Sequence, residues 1–230
     1  MKVNKTKISN IPAIIWGNQS DKAYLFVHGK MSSKEAAEKF AEIAEEKGYQ
    51  TISFDLPQHG DRMAEDARCD IWNGMKDLAV VGNYVFQNWK EVSLYACSLG
   101  AYFCLNTYHS YRIRKCLFQS PILDMEYLIQ QMMLWFDISE NRLAQEKEID
   151  TPIDIMSWDY YQYVKAHPIQ TWNIPTNILF GGKDNLQSLE VVKKFTDRFH
   201  CALTVSENSE HPFMEKEDGL IVEQWLRENV

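Results

Sequence analysis

The chain has 230 residues, 45% of them hydrophobic, which is enough for one substantial core and predicts a single domain over 1–230. A formal charge of −8, from 24 Lys plus Arg against 32 Asp plus Glu, argues against nucleic acid as a partner, because such a surface repels a phosphate backbone. No apolar run approaches the ~18 residues of a membrane span. The basic stretch MKVNKTKISN is followed by a short apolar run broken by Pro12 and Gly17, not by the longer core of a secretory signal. The five cysteines are odd in number and several lie in apolar segments, so they are expected to be reduced, as in a cytoplasmic protein. No Cys or His cluster has metal-ligand spacing, and neither a metal nor a cofactor is expected.

Along the chain, residues 2–8 and 12–17 predict an opening hairpin. The run AYLFV (23–27) is continuous in the manner of a buried parallel strand. A helix over about 33–47 follows, with Ser32 and Glu35 spaced as a capping box and Ala37, Phe40, Ala41 and Ala44 on one face. The alternation continues with a strand at 49–54, a helix at 75–89, a strand at 91–96 and a helix at 99–108 that is apolar on nearly every side. Strands at 115–119, 175–180 and 201–205 and helices at 186–199 and 218–227 complete the pattern. Strands alternating with helices predict a mostly parallel central sheet flanked by helices, an α/β fold. Residues 124–166 break the rhythm. They show no convincing strand, carry nine acidic against three basic residues, and space Met and aromatic side chains as helices do.

Three stretches carry chemistry. The first is Ala96-Cys97-Ser98-Leu99-Gly100, placed between a predicted strand and a predicted helix. A nucleophile on a sharp strand-to-helix turn needs small residues two before and two after it, and Ala96 and Gly100 are small. Cys97 is a rival nucleophile by chemistry, but it would set Tyr95 and Leu99 at the positions that need small side chains, and it reads as a buried residue beneath the turn. The second stretch, His28-Gly29-Lys30, follows the 23–27 strand. The third, Asp55-Leu56-Pro57-Gln58-His59-Gly60-Asp61-Arg62, follows the 49–54 strand.

Together these stretches resemble the α/β-hydrolase family over roughly residues 23–225. The first is similar to the nucleophile elbow G-x-S-x-G, with alanine in the first position. The second is similar to the family's HG-x segment. The third resembles its D-x-P-G-H-G-x-S loop, with Gln58 where glycine is usual. The resemblance implies Ser98 as nucleophile and the backbone N–H groups of Lys30 and Leu99 as an oxyanion hole. His28 and His59 are then architectural, and the Lys30 side chain points to solvent or meets a polar substrate. In this fold the acid and base follow the nucleophile in that order. Asp184, in the glycine turn after the 175–180 strand, is the expected acid, and His211, in the polar loop after the last strand, the expected base. Asp124 is an alternative acid, and Glu207 and Glu210 are weaker ones. Residues 124–166 resemble the small helical cap of carboxylesterase and monoacylglycerol-lipase-like members. Trp135, Phe136, Trp158 and Tyr161 are its candidate substrate contacts, although most such side chains are expected to form the cap's own core. The activity implied is hydrolysis of a small or medium carboxylic ester. Alternatives are the same triad acting on a thioester, an amide or peptide terminus or a C–C bond, or a scaffold that binds a small ligand without catalysis.

Overall fold

A computed structural model describes residues 1–230. The opening hairpin is formed by β1 (Val3–Ile8) and β2 (Ile11–Trp16), paired antiparallel. The alternating core then runs β3 (Lys22–Val27), α1 (Glu38–Glu46), β4 (Gln50–Phe54), α2 (Ile71–Asn88), β5 (Glu91–Cys97), α3 (Leu99–Thr107) and β6 (Cys116–Gln119). The sheet has the order β1-β2-β4-β3-β5-β6 and is completed by β9 (Thr176–Gly181) and β10 (Ala202–Ser206). Every pairing from β4 to β10 is parallel. The expected mostly parallel sheet is therefore present, with antiparallel pairing confined to the hairpin and its junction with β4.

Alternation of side chains along the strands divides the interior into two apolar layers. Ile14, Tyr24, Phe26, Tyr95, Leu117 and Leu179 face α1 and α8 (Asp218–Asn229) on one side of the sheet. Leu25, Val27, Ile52, Leu94, Phe118 and Ile178 face α2, α3 and α7 (Leu189–Phe199) on the other. The chain leaves β3 toward α1 on one face and leaves β5 toward α3 on the opposite face. The strand order thus reverses between β3 and β5, which is where open α/β sheets form their working crevice. In α3, residues Gly100 to Leu105 are all buried, as its all-round apolar sequence predicts, and burying a side chain such as Phe103 contributes roughly 1.5–3 kcal/mol.

Some local expectations are corrected. The Ser32–Glu35 capping box does not form. Residues Lys34–Ala37 make a 3-10 turn before α1, and the Ser33 hydroxyl donates to Glu35 instead. α2 starts at Ile71 rather than 75, because the Asp70 carboxylate accepts the Asn73 N–H and caps the helix. α7 starts at Leu189, capped by Ser188.

Between β6 and β9 the chain builds α4 (Met125–Trp135), α5 (Glu140–Glu146), β7 (Glu148–Asp150), β8 (Ile155–Ser157) and α6 (Trp158–Ala166). The small antiparallel β7–β8 hairpin was not expected from the sequence. Its strands are three residues each, too short for period-two alternation to register. Met125, Ile129, Met132, Leu143, Ile149, Met156, Tyr161 and Val164 bury into the same apolar layer as α2 and α3. The hairpin also reaches the loops at the C-terminal ends of the central strands. Arg68, after β4, forms a two-pronged ion pair with Glu148, and Lys30, after β3, pairs with Asp154 and donates to the Ile153 carbonyl at 3.1 Å. No helix is long and apolar enough to cross a membrane.

Candidate active site

Three loops meet at the C-terminal edge of the sheet. β5 ends in a turn where Ser98 adopts φ +50° and ψ −122°, a conformation that L-residues rarely hold. The turn is kept by its surroundings. The Ser98 N–H donates to the Gln119 carbonyl at 3.1 Å, and the Ser98 carbonyl accepts from Ala101 and Ile122. Neighbouring glycines make room for it. A Cβ on Gly100 would lie 2.4 Å from the His28 carbonyl oxygen, and one on Gly29 would lie 3.0 Å from the Ser98 Cβ. Ala96 is fully buried where the resemblance has glycine, so a methyl group is accommodated there.

Ser98 Oγ lies 2.8 Å from His211 Nε2, and His211 Nδ1 lies 2.7 Å from Asp184 Oδ2. These are residues 98, 184 and 211, brought together from three loops across the sheet. The Asp184 side chain is wholly buried and that of His211 is only 10% exposed, so the contact is shielded from water. The other carboxylate oxygen, Asp184 Oδ1, accepts the N–H groups of Leu186 and Gln187 at 2.8 and 3.2 Å, which leaves Oδ2 for the imidazole.

The rival acids are placed elsewhere. Asp124 caps α4 by accepting the Tyr127 N–H at 2.9 Å. Neither Glu207 nor Glu210 makes a hydrogen bond to His211, and both are exposed. Burial pushes the half-buried Cys97 thiol up to about 12, away from the thiolate form that a nucleophile needs. His28 and His59 are props. Leu56 N–H donates to His28 Nε2 at 3.1 Å, so Nδ1–H must donate to the Gly29 carbonyl. Met31 N–H likewise donates to His59 Nε2 at 3.0 Å, and Nδ1–H to the Pro57 carbonyl. Asp55, wholly buried, accepts the Lys34 ammonium at 2.7 Å and the N–H groups of Lys34 and Asp61 at 2.9 Å each. Gln58, at φ +59°, occupies the left-handed conformation that explains the usual glycine.

The Lys30 N–H donates to no acceptor within the protein, and Leu99 is the first residue of α3, whose first-turn N–H groups have no partner in the helix. Leu99 follows Ser98 in the chain, and Lys30 follows Gly29, on which a Cβ would lie 3.0 Å from that of Ser98. The Lys30 side chain is engaged with the β7–β8 turn instead of pointing freely to solvent. Of the residues expected to meet substrate, Tyr161 is buried in the common core with its ring beneath Lys165, and Phe136 and Trp158 are partly buried against that core. Trp135 is 41% exposed. The 440 Å³ cavity between α4, α6 and α7 is walled by Tyr102, Leu123, Val164, Ile169, Phe195 and Phe199. Ser98, Asp184 and His211 take no part in it, so it is not the crevice above the elbow.

Several supporting residues escaped the sequence reading. Gln187 is fully buried and bonded at every amide position. Ser209 donates to Asp218 at 2.6 Å and shares a hydrogen bond with Ser206, bracing the His211 loop. Gln119, which accepts from the Tyr95 hydroxyl at 2.6 Å, donates to the Pro212 carbonyl at 2.8 Å on the other flank of that loop. Polar residues in loops and at strand ends ordinarily face solvent, so only their spacing from Asp184 and His211 could have drawn attention to them.

No family model and no curated protein matches this sequence. Solved structures do. A mouse alpha/beta hydrolase domain-containing protein 10 superposes with a TM-score of 0.77 at 16% identity, covering 99% of this chain and 98% of that one. Est1E from Butyrivibrio proteoclasticus, with ferulic acid bound, gives 0.75 at 15% identity, covering 98% and 96%. A Paleococcus ferrophilus monoacylglycerol lipase gives 0.66 at 16% identity, covering the whole of both chains. The topology, the crossovers and these superpositions define one class: the chain has the α/β-hydrolase fold.

Proposed function

We propose that this chain is a serine hydrolase that cleaves a small or medium carboxylic ester through an acyl-enzyme. The observation that carries the reading is the pair of contacts Ser98 Oγ to His211 Nε2 at 2.8 Å and His211 Nδ1 to Asp184 Oδ2 at 2.7 Å. In this reading His211 takes the Ser98 proton as the hydroxyl attacks the ester carbonyl, and Asp184 holds the ring in the tautomer that can accept it. The N–H groups of Lys30 and Leu99 receive the oxyanion, with the N-terminus of α3 adding a favourable field. Collapse of the intermediate passes the proton to the departing alkoxide. Water then repeats the sequence on the acyl-enzyme and releases the acid. Residues 124–166 act as a cap. Their hairpin is fastened to the loops after β3 and β4, the first of which adjoins the elbow, and Trp135, Phe136 and Trp158 are the side chains proposed to meet substrate. The Est1E structure with ferulic acid bound and the Paleococcus ferrophilus monoacylglycerol lipase support an ester-cleaving reading on this fold.

The test combines labelling with a substrate panel. A fluorophosphonate should label the wild-type protein at Ser98, and Ser98→Ala should lose both labelling and nearly all p-nitrophenyl ester turnover while keeping its thermal midpoint. Turnover above a few per cent in Ser98→Ala would remove the serine from the mechanism. Faster turnover of thioesters or aminoacyl amides than of esters in the same panel would reassign the bond.

A further inference from the structure

We propose that Gln187 is a positioning residue, whose buried side-chain amide fixes the Asp184 carboxylate relative to Ser98; this rests on the serine-hydrolase reading above. Gln187 is fully buried, and a primary amide in that position must find partners for two N–H groups and its oxygen lone pairs. It finds all of them on two loops. Oε1 accepts the N–H groups of Leu123 and Asp124 at 3.0 and 2.9 Å, and Nε2 donates to the carbonyls of Asp124 and Leu186 at 3.0 and 2.9 Å. Its own backbone N–H meanwhile donates to Asp184 Oδ1 at 3.2 Å.

These bonds close a ring. Ile122 N–H donates to the Ser98 carbonyl at 3.2 Å, tying the loop after β6 to the elbow. Leu123 and Asp124 are held by the Gln187 side chain, and the Gln187 backbone holds Asp184. Asp184 holds His211, and His211 returns to Ser98 Oγ. Of these links only the Gln187 side chain joins the loop after β6 to the acid-bearing loop after β9. Without it Asp184 would still accept two backbone N–H groups, but those belong to its own loop and would move with it. A misplacement of the acid by a fraction of an ångström weakens its grip on the imidazole, and a 1 Å error in such an arrangement costs up to about 100-fold in rate.

The test uses Gln187→Met, which keeps length and loses every hydrogen bond, and Gln187→Glu, which keeps the acceptor but turns a carboxylate oxygen toward two carbonyls. Both should lower kcat on p-nitrophenyl acetate, counted per fluorophosphonate-reactive site, by about 10- to 100-fold with KM changed less than about threefold. The proton NMR resonance of His211 Nδ1–H, assigned by its loss in His211→Ala, should be sharp in the wild type and broaden by exchange in both variants. Val85→Ala, a core substitution on α2, should lower the thermal midpoint without either effect, which separates positioning from general destabilisation. Unchanged kcat and an unchanged Nδ1–H resonance in a folded Gln187→Met would overturn the proposal. So would fast, local exchange of the Leu123 and Asp124 amide protons in the wild type, a measurement that needs no variant. If the wild type neither labels nor turns over esters, the proposed function falls, and the Nδ1–H resonance still decides the role of Gln187.

Discussion

Gly100 shows how little space separates the elbow from the His28–Lys30 segment. A methyl group there would meet the His28 and Val27 carbonyl oxygens at 2.4 and 2.9 Å, and both are backbone atoms that cannot swing aside as a side chain would. Gly100→Ala should therefore displace either α3 or the His28–Lys30 segment, lowering unfolding free energy by about 1–3 kcal/mol. On the proposed mechanism it should also cut ester turnover by at least about tenfold, because a donor moved off the oxyanion would forfeit much of its stabilisation. Urea denaturation and steady-state rates check both, and a variant with wild-type values for each would show that the loop has slack. The opposite case is Ala96, where the methyl group is already accommodated.

Among the elements, the 124–166 segment divides its aromatic side chains between core and surface. Tyr161 is 1% exposed and sits in the shared core, so Tyr161→Ala should lower stability by about 3–5 kcal/mol, the range for a buried aromatic. Trp135, 41% exposed at the end of α4, has little packing to lose. Trp135→Ala should leave the thermal midpoint nearly unchanged and raise KM for longer-chain p-nitrophenyl esters more than for the acetate, as expected of an acyl contact. Equal effects across chain lengths would return Trp135 to an ordinary surface role. The hairpin of this segment is fastened by two exposed ion pairs, Lys30–Asp154 and Arg68–Glu148, which salt should weaken.

At the scale of the whole molecule, buried polar groups make stability depend on pH. Burial pushes His28 down to about 4 from its ordinary 6.5, with the neighbouring His59 adding to the shift, and the hydrogen bond to Gly29 and the charge of Asp55 opposing it. The unfolded chain therefore binds a proton that the folded chain refuses between those values. The contribution of His28 is whole above about pH 6.5 and is lost as pH falls through about 4, amounting to about 3 kcal/mol. Denaturation between pH 7 and 4 should show this slope, and His28→Gln should flatten it while lowering stability at pH 7. An unchanged slope in that variant would assign the acid sensitivity to other groups. The Lys34 ammonium is held well above its usual range, because its hydrogen bonds to Asp55, Asp61 and Glu35 outweigh the opposing effect of burial. Lys34→Met would strand Asp55, and breaking a buried pair from one side costs about 3–5 kcal/mol.

The amino-acid order alone determines whatever depends on chain order and local pattern. Apolar runs at 23–27 and 91–96, separated by helical periodicity, specify parallel strands, and a serine between small residues at a strand-to-helix junction marks the elbow. Order along the chain and position at strand edges favour Ser98, Asp184 and His211 but leave Asp124, Glu207 and Glu210 as alternative acids. The structure sets Ser98 Oγ 2.8 Å from His211 Nε2 and His211 Nδ1 2.7 Å from Asp184 Oδ2. Tertiary structure alone decided the rest. Asp124 and Asp184 are both carboxylates just beyond a parallel strand, and only the fold shows that one caps a helix while the other meets the imidazole. Strands as short as β7 and β8 carry too few residues for a period to appear and exist because they pair with each other. Gln187 and Lys30 are ordinary surface residue types, and their roles arise from partners 63 and 124 positions distant in the chain, at separations where no local pattern can reach.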